Sequence, residues 1–109
     1  MLWMYTTEGR KDFSPKEIKI EEKELDFICD MGCNFIRLPI DYRFFVQDFN
    51  YGNSNEKMLE VLDFCIESII SRGLHCSLNI HRAPGYCING AETERHNLWK
   101  DKEAQDEFV

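Results

Sequence analysis

Apolar and polar positions in this chain switch between two periods. The first pattern is helical. Ile18, Leu25, Ile28, Cys29 and Met31 follow Ser14-Pro15-Lys16-Glu17, where Ser can cap, Pro suits the first turn and Glu closes a capping box. The clearest part of the predicted helix runs from about 20 to 30, and Gly32 ends it. A short apolar, partly β-branched run follows over 34–40 and reads as a buried strand that Pro39 terminates. Residues 41–55 read as a loop, aromatic early and rich in Gly, Asn and Ser late. The strongest helical stripe comes next: Met58, Leu59, Leu62, Cys65, Ile66, Ile69 and Ile70 predict a helix over 56–72, stopped by Gly73. A second strand is predicted over 74–80, then a turn at 83–86, a polar loop to about 100 and a third helix capped by Asp101.

The order helix, strand, helix, strand, helix, with strands starting at 34 and 74, argues for parallel βα units. Both strands then point the same way and their C-terminal ends share one face. Composition is that of an ordinary globular chain: 109 residues, 43% hydrophobic, 30% charged. The net charge of −7 argues against nucleic acid and an anionic membrane surface as partners, because both are polyanions. No apolar run approaches the roughly 18 residues a membrane helix needs. Five cysteines, an odd number with no CxxC pair, favour reduced thiols over a disulfide framework. Their spacing gives little support to a zinc site built on Cys29, Cys33 and a histidine, and no metal or other cofactor is expected.

Function in parallel α/β folds collects at the C-terminal strand ends. Two polar clusters fall there, Arg37-Leu-Pro-Ile-Asp-Tyr-Arg43 and Asn79-Ile-His-Arg-Ala-Pro-Gly-Tyr86. Arg37 stands inside an apolar strand, and a guanidinium that keeps its proton needs a carboxylate or ligand beside it. A salt bridge at the sheet end would satisfy it equally well. Asn79 and His81 share parity and face one way, while Leu78 and Ile80 face the other. Tyr42, Tyr86 and Trp99 follow strand ends, where they can pack loops or offer flat faces to sugar rings. There is no GxSxG turn, no glycine-rich phosphate loop and no HExxH. The residues alone therefore lead to part of an α/β enzyme with a polar site around Arg37 and His81.

These clusters resemble glycoside hydrolase family 5, the cellulase family of (β/α)8 barrels. Gly32-Cys-Asn-Phe-Ile-Arg-Leu-Pro-Ile-Asp-Tyr42 is similar to the family's second strand, and Leu78-Asn-Ile-His-Arg-Ala-Pro-Gly-Tyr86 to its third strand and following turn. The resemblance runs from about 19 to 109 and implies the first three or so βα units of a TIM barrel. It implies that Arg37 supports the nucleophile carboxylate and that His81 contacts the sugar beside the cleaved bond. Arg82, Tyr86 and Trp99 would join His81 in substrate binding, with Asn79 and Asp41 as supports behind it. The partner implied is a β-linked oligo- or polysaccharide.

The family retains anomeric configuration through two glutamates about 5–5.5 Å apart. The resemblance puts them after strands 4 and 7, beyond residue 109. Residues 102–109 also read as a helix with no stop signal, and a whole barrel takes about 250 residues. The expectation is therefore that 1–109 is a truncated N-terminal portion of the catalytic domain, inactive alone. A non-catalytic carbohydrate-binding or assembly module, a mannanase or exo-β-1,3-glucanase of the same family, and an unrelated small α/β enzyme are the alternatives. Met1-Leu-Trp-Met-Tyr5 carries no signal-peptide pattern, and localisation stays open.

Overall fold

The computed structural model describes residues 21–88 and 94–109. The capping box at 14–17 and the apolar start at 1–5 lie outside them. Five regular elements follow in order: α1 (Glu22–Asp30), β1 (Phe35–Asp41), α2 (Glu56–Ile70), β2 (His75–Arg82) and α3 (Lys102–Phe108). Two 3-10 turns, Tyr42–Phe44 and Gln47–Phe49, break up the segment that reads as a plain loop.

Both long helices stop where their glycines predict. Gly32 and Gly73 take φ of +79° and +74°, a conformation that costs glycine nothing. The Gly32 N–H donates to the Cys29 carbonyl and the Cys33 N–H to the Ile28 carbonyl. Gly73 to Ile70 and Leu74 to Ile69 repeat the same pair of bonds, so each helix end satisfies its last carbonyls before the strand begins. At the front of α2 the Asn55 side chain accepts from the Met58 N–H.

β1 and β2 are parallel neighbours, paired Phe35 with His75 through Ile40 with Ile80. Ile36, Leu38 and Ile40 of β1 pack with Met58, Leu62, Cys65 and Ile69 of α2, with Leu25 and Phe44 closing the core. The opposite parity of the sheet, Arg37 and Asn79 included, faces away from that core.

One expectation needs correction. Pro39 does not terminate β1; it sits inside the strand, in register with Asn79. The Asn34 carbonyl accepts from the His75 N–H. Strand alternation then turns the N–H groups of Ile36, Leu38 and Ile40 toward β2 and the nitrogen of Pro39 toward the opposite edge. The donor that proline lacks is one this ladder does not use. The second strand likewise runs two residues past its predicted end, so His81 and Arg82 belong to β2.

Candidate active site

Arg37, Asn79 and His81 come together on the face of the sheet away from the helices. Parallel pairing puts Arg37 and Asn79 on the same side of adjacent strands, two rungs apart. Arg37 Nη2 donates to Asn79 Oδ1 at 2.6 Å. The same nitrogen lies 3.3 Å from His81 Nδ1, which is itself 3.1 Å from Asn79 Oδ1. One ring nitrogen cannot serve both neighbours in one way. Unprotonated, Nδ1 accepts from Arg37; protonated, it donates to Asn79. Either state ties the three side chains through one edge of the imidazole.

His81 reaches this position through an irregularity. The register passes from Ile40–Ile80 to Asp41–Arg82, which leaves His81 as the extra residue of a bulge. Bulges at strand ends re-aim a side chain, and this one carries the histidine.

Asp41 and Arg82 go elsewhere. Asp41 is fully buried and holds Arg43, with Nη2 to Oδ2 at 2.6 Å and Nε to Oδ1 at 3.0 Å. It also accepts from the Arg43 N–H and so caps the first 3-10 turn. Burial works against the charge on Arg43, but the Asp41 carboxylate outweighs it and its pKa lies above the usual value. Arg82, expected among the sugar contacts, is wholly buried against Glu94 and presents no surface to a ligand. A strand-end cation shut away from water needs an internal anion, and Glu94 supplies it.

Sequence reasoning missed Glu94. Its side chain is 2% exposed. It accepts from Arg82 Nε at 2.5 Å, the Tyr42 hydroxyl at 2.6 Å and the Gly85 N–H at 3.3 Å. Tyr42 and Glu94 stand 52 residues apart, so no local pattern in the chain links them. Burial, then the Glu94 carboxylate, raises the Tyr42 pKa and keeps the phenol protonated as a donor. Tyr51 continues the cluster. Its ring lies 6.4 Å from that of Tyr42, and its hydroxyl is 3.3 Å from His96 Nδ1, with His96 Nε2 2.9 Å from Glu103.

Tyr86 and Trp99 do meet, ring centroids 6.0 Å apart, edge to face, and both are exposed. They line an open groove of about 660 Å³ with Ile80, Leu98 and Phe108. Ile80 has the opposite parity to Asn79, so this aromatic pair borders the helix side of β2 and not the Arg37–His81 face. Gly85 makes the turn beneath it: at φ +73° a Cβ there would stand 2.5 Å from the Leu98 nitrogen. All five cysteines are free thiols, Cys65 and Cys87 buried and Cys33 exposed. Among the described residues no three His, Cys, Asp or Glu side chains gather as metal ligands, and no helix is long and apolar enough to cross a membrane.

Residues 5–108 match the family model for cellulase, glycosyl hydrolase family 5. The chain belongs to that family. The paired strand motifs are therefore part of that family's α/β fold. A solved glycoside hydrolase structure superposes on 97% of this family 5 chain with a TM-score of 0.83 and 43% identity, over 31% of that protein. Endoglucanase C of Acetivibrio thermocellus is 34% identical over 90 residues, which are 83% of this chain and 26% of the relative. Cellodextrinase A of Ruminococcus flavefaciens is 30% identical over 82% of this chain and 26% of its own length. Beta-xylosidase of Phanerodontia chrysosporium is 31% identical over 76% of this chain and 18% of its own. The chain thus spans about a quarter of the length of Endoglucanase C and of Cellodextrinase A.

Proposed function

We propose that these residues form one wall of the active site of a retaining glycoside hydrolase that cleaves β-linked glucans, of the endo-β-1,4-glucanase type. The wall corresponds to the first three or so βα units of a TIM barrel. The observation that carries the reading is the Arg37–Asn79–His81 cluster, polar and exposed on the face that a closed barrel turns inward. A permanent cation beside that opening lowers the pKa of a carboxylate placed against it, which is what a glycosidase nucleophile needs. Arg37 takes that role, Asn79 fixes the guanidinium, and the imidazole of His81 meets the sugar hydroxyls.

The acid/base and the nucleophile come from other strands. Asp41 and Glu94, the carboxylates nearest these strand ends, are committed to Arg43 and Arg82. The 109 residues alone then release no reducing sugar from a soluble β-glucan. In a protein that joins them to the two glutamates, Arg37→Ala lowers kcat/KM about 100-fold or more, the scale of losing one preorganised electrostatic partner. Its melting temperature stays put, because Arg37 is exposed. Undiminished turnover in that variant, or normal hydrolysis by the 109-residue chain, removes the assignment.

The exposed Tyr86–Trp99 pair favours a second reading, a sugar-binding module without catalysis. Saturable calorimetric binding of cellopentaose by the 109-residue chain, lost in Trp99→Ala and kept in Arg37→Ala, selects that reading over the first.

A further inference from the structure

We propose that Glu94 is a positioning residue that aims His81 at Arg37. The inference rests on the reading of His81 as a sugar contact only for its use, not for its geometry. His81 is the bulged residue of β2, so the regular ladder does not set its direction. Its direction follows from whatever clamps the chain on either side. On the N-terminal side that is the pairing of Asn79 and Ile80 with β1. On the C-terminal side it is Arg82, the next residue, whose backbone pairs with Asp41 and whose buried side chain is held by Glu94.

Glu94 is placed to fix more than one side chain. Its carboxylate collects donors from three pieces of chain: Arg82 at the end of β2, Tyr42 in the 3-10 turn after β1, and the Gly85 N–H in the turn after β2. These are the segments that leave the two strand ends around the site. The turn is held independently as well, since the Leu98 N–H donates to the Gly85 carbonyl at 3.0 Å. A guanidinium buried with its carboxylate removed is strongly disfavoured and turns toward water. Arg82 would carry the adjoining peptide with it, and His81 would leave the 3.3 Å contact with Arg37.

Glu94→Gln keeps the volume of the side chain and removes its charge. Tyr42→Phe removes one donor and buries no new charge, so it serves where the first variant fails to fold. The readout is the pair of ring-nitrogen shifts of His81 by long-range proton–nitrogen NMR, assigned with His81→Gln, at a pH where the chain is folded by circular dichroism. In the native chain His81 differs from the exposed His75 because Arg37 and Asn79 contact its Nδ1. In Glu94→Gln the His81 shifts move toward those of His75, and in Tyr42→Phe they move part of the way. A purely structural role lowers the melting temperature of both variants and leaves the His81 shifts of the folded chain where they were. Unchanged shifts in the folded Tyr42→Phe chain overturn the proposal. Moved shifts together with cellopentaose binding indifferent to His81→Gln keep the positioning role and remove the sugar reading instead.

Discussion

At the residue scale, burial sets the chemistry of individual groups. The Cys65 thiol sits in the core between α2 and the sheet, and burial pushes its pKa up to about 11, with the nearby Cys76 adding to the rise. Cys76, Tyr42 and Tyr51 are raised as well, each chiefly by burial. An unfolded thiol titrates near about 8.5, so the folded chain holds a proton that the unfolded chain releases above that pH. The stabilisation is complete below about 8.5 and is lost as pH rises toward the folded value near 11. The expected outcome is a urea midpoint that is flat below pH 8 and falls steadily from pH 8 to 10. Cys65→Ala flattens part of that fall, and an unaltered slope in the variant removes Cys65 from the account. Alkylation at pH 8 gives a second view, labelling exposed Cys33 at once and Cys65 only on unfolding. Much of the site is legible in the sequence at this scale. Arg37 stands out as a charge inside an apolar strand, and strand parity predicts Asn79 and His81 on one face, although the bulge that carries His81 leaves no mark in the pattern. Arg82 and Glu94 are not legible, because their bond crosses a turn that no periodicity describes. Tyr86 and Trp99 are not placed either, since parity along β2 says nothing past the bulge and the turn.

At the element scale, the helical stripe of α2 is the firmest reading, and the structure narrows it. The stripe contains both Ile69 and Ile70, yet Ile69 is 0% exposed and Ile70 is 59% exposed. The buried line runs Met58, Leu62, Cys65, Ile69, each one helical turn or nearly so from the last. Ile70 is rotated about 100° off it. Two adjacent isoleucines therefore carry opposite expectations. Ile69→Ala opens a cavity beneath β1 and costs about 2–5 kcal/mol in a denaturant titration. Ile70→Ala stays within about 0.5 kcal/mol of the native chain. Equal effects would mean that α2 packs in a different rotation. The same scale explains the misread proline. Sequence rules remove Pro from central strands because the ladder needs its donor, and only the register reveals that Pro39 turns its nitrogen to the unused side.

At the scale of the whole molecule, the cover of the sheet is lopsided, and this has a measurable consequence. α2 shields the helix-facing side of β1, where Leu38 is fully buried, but the matching residues of β2, Leu78 and Ile80, are 48% and 53% exposed. α3 is only seven residues long and contributes one buried side chain, Ala104. Parallel sheets normally have both faces covered, and an open one presents apolar surface and unpaired strand edges to other molecules. Trp99, Phe108 and Tyr86 extend the exposed surface from Ile80 into the groove at the strand end. In relatives about three times as long, further chain is available to lie there. In the 109-residue chain the surface meets solvent or another copy. Sedimentation velocity across the micromolar range, where such surfaces associate, should show a weight-average mass that climbs with concentration. The double variant Leu78→Thr, Ile80→Thr puts β-branched side chains suited to a strand at both positions, removes apolar area, and should stay monomeric with little change in melting temperature. A native chain that remains monomeric over that range, or a double variant that associates just as readily, would show that this face of β2 is not the adhesive surface.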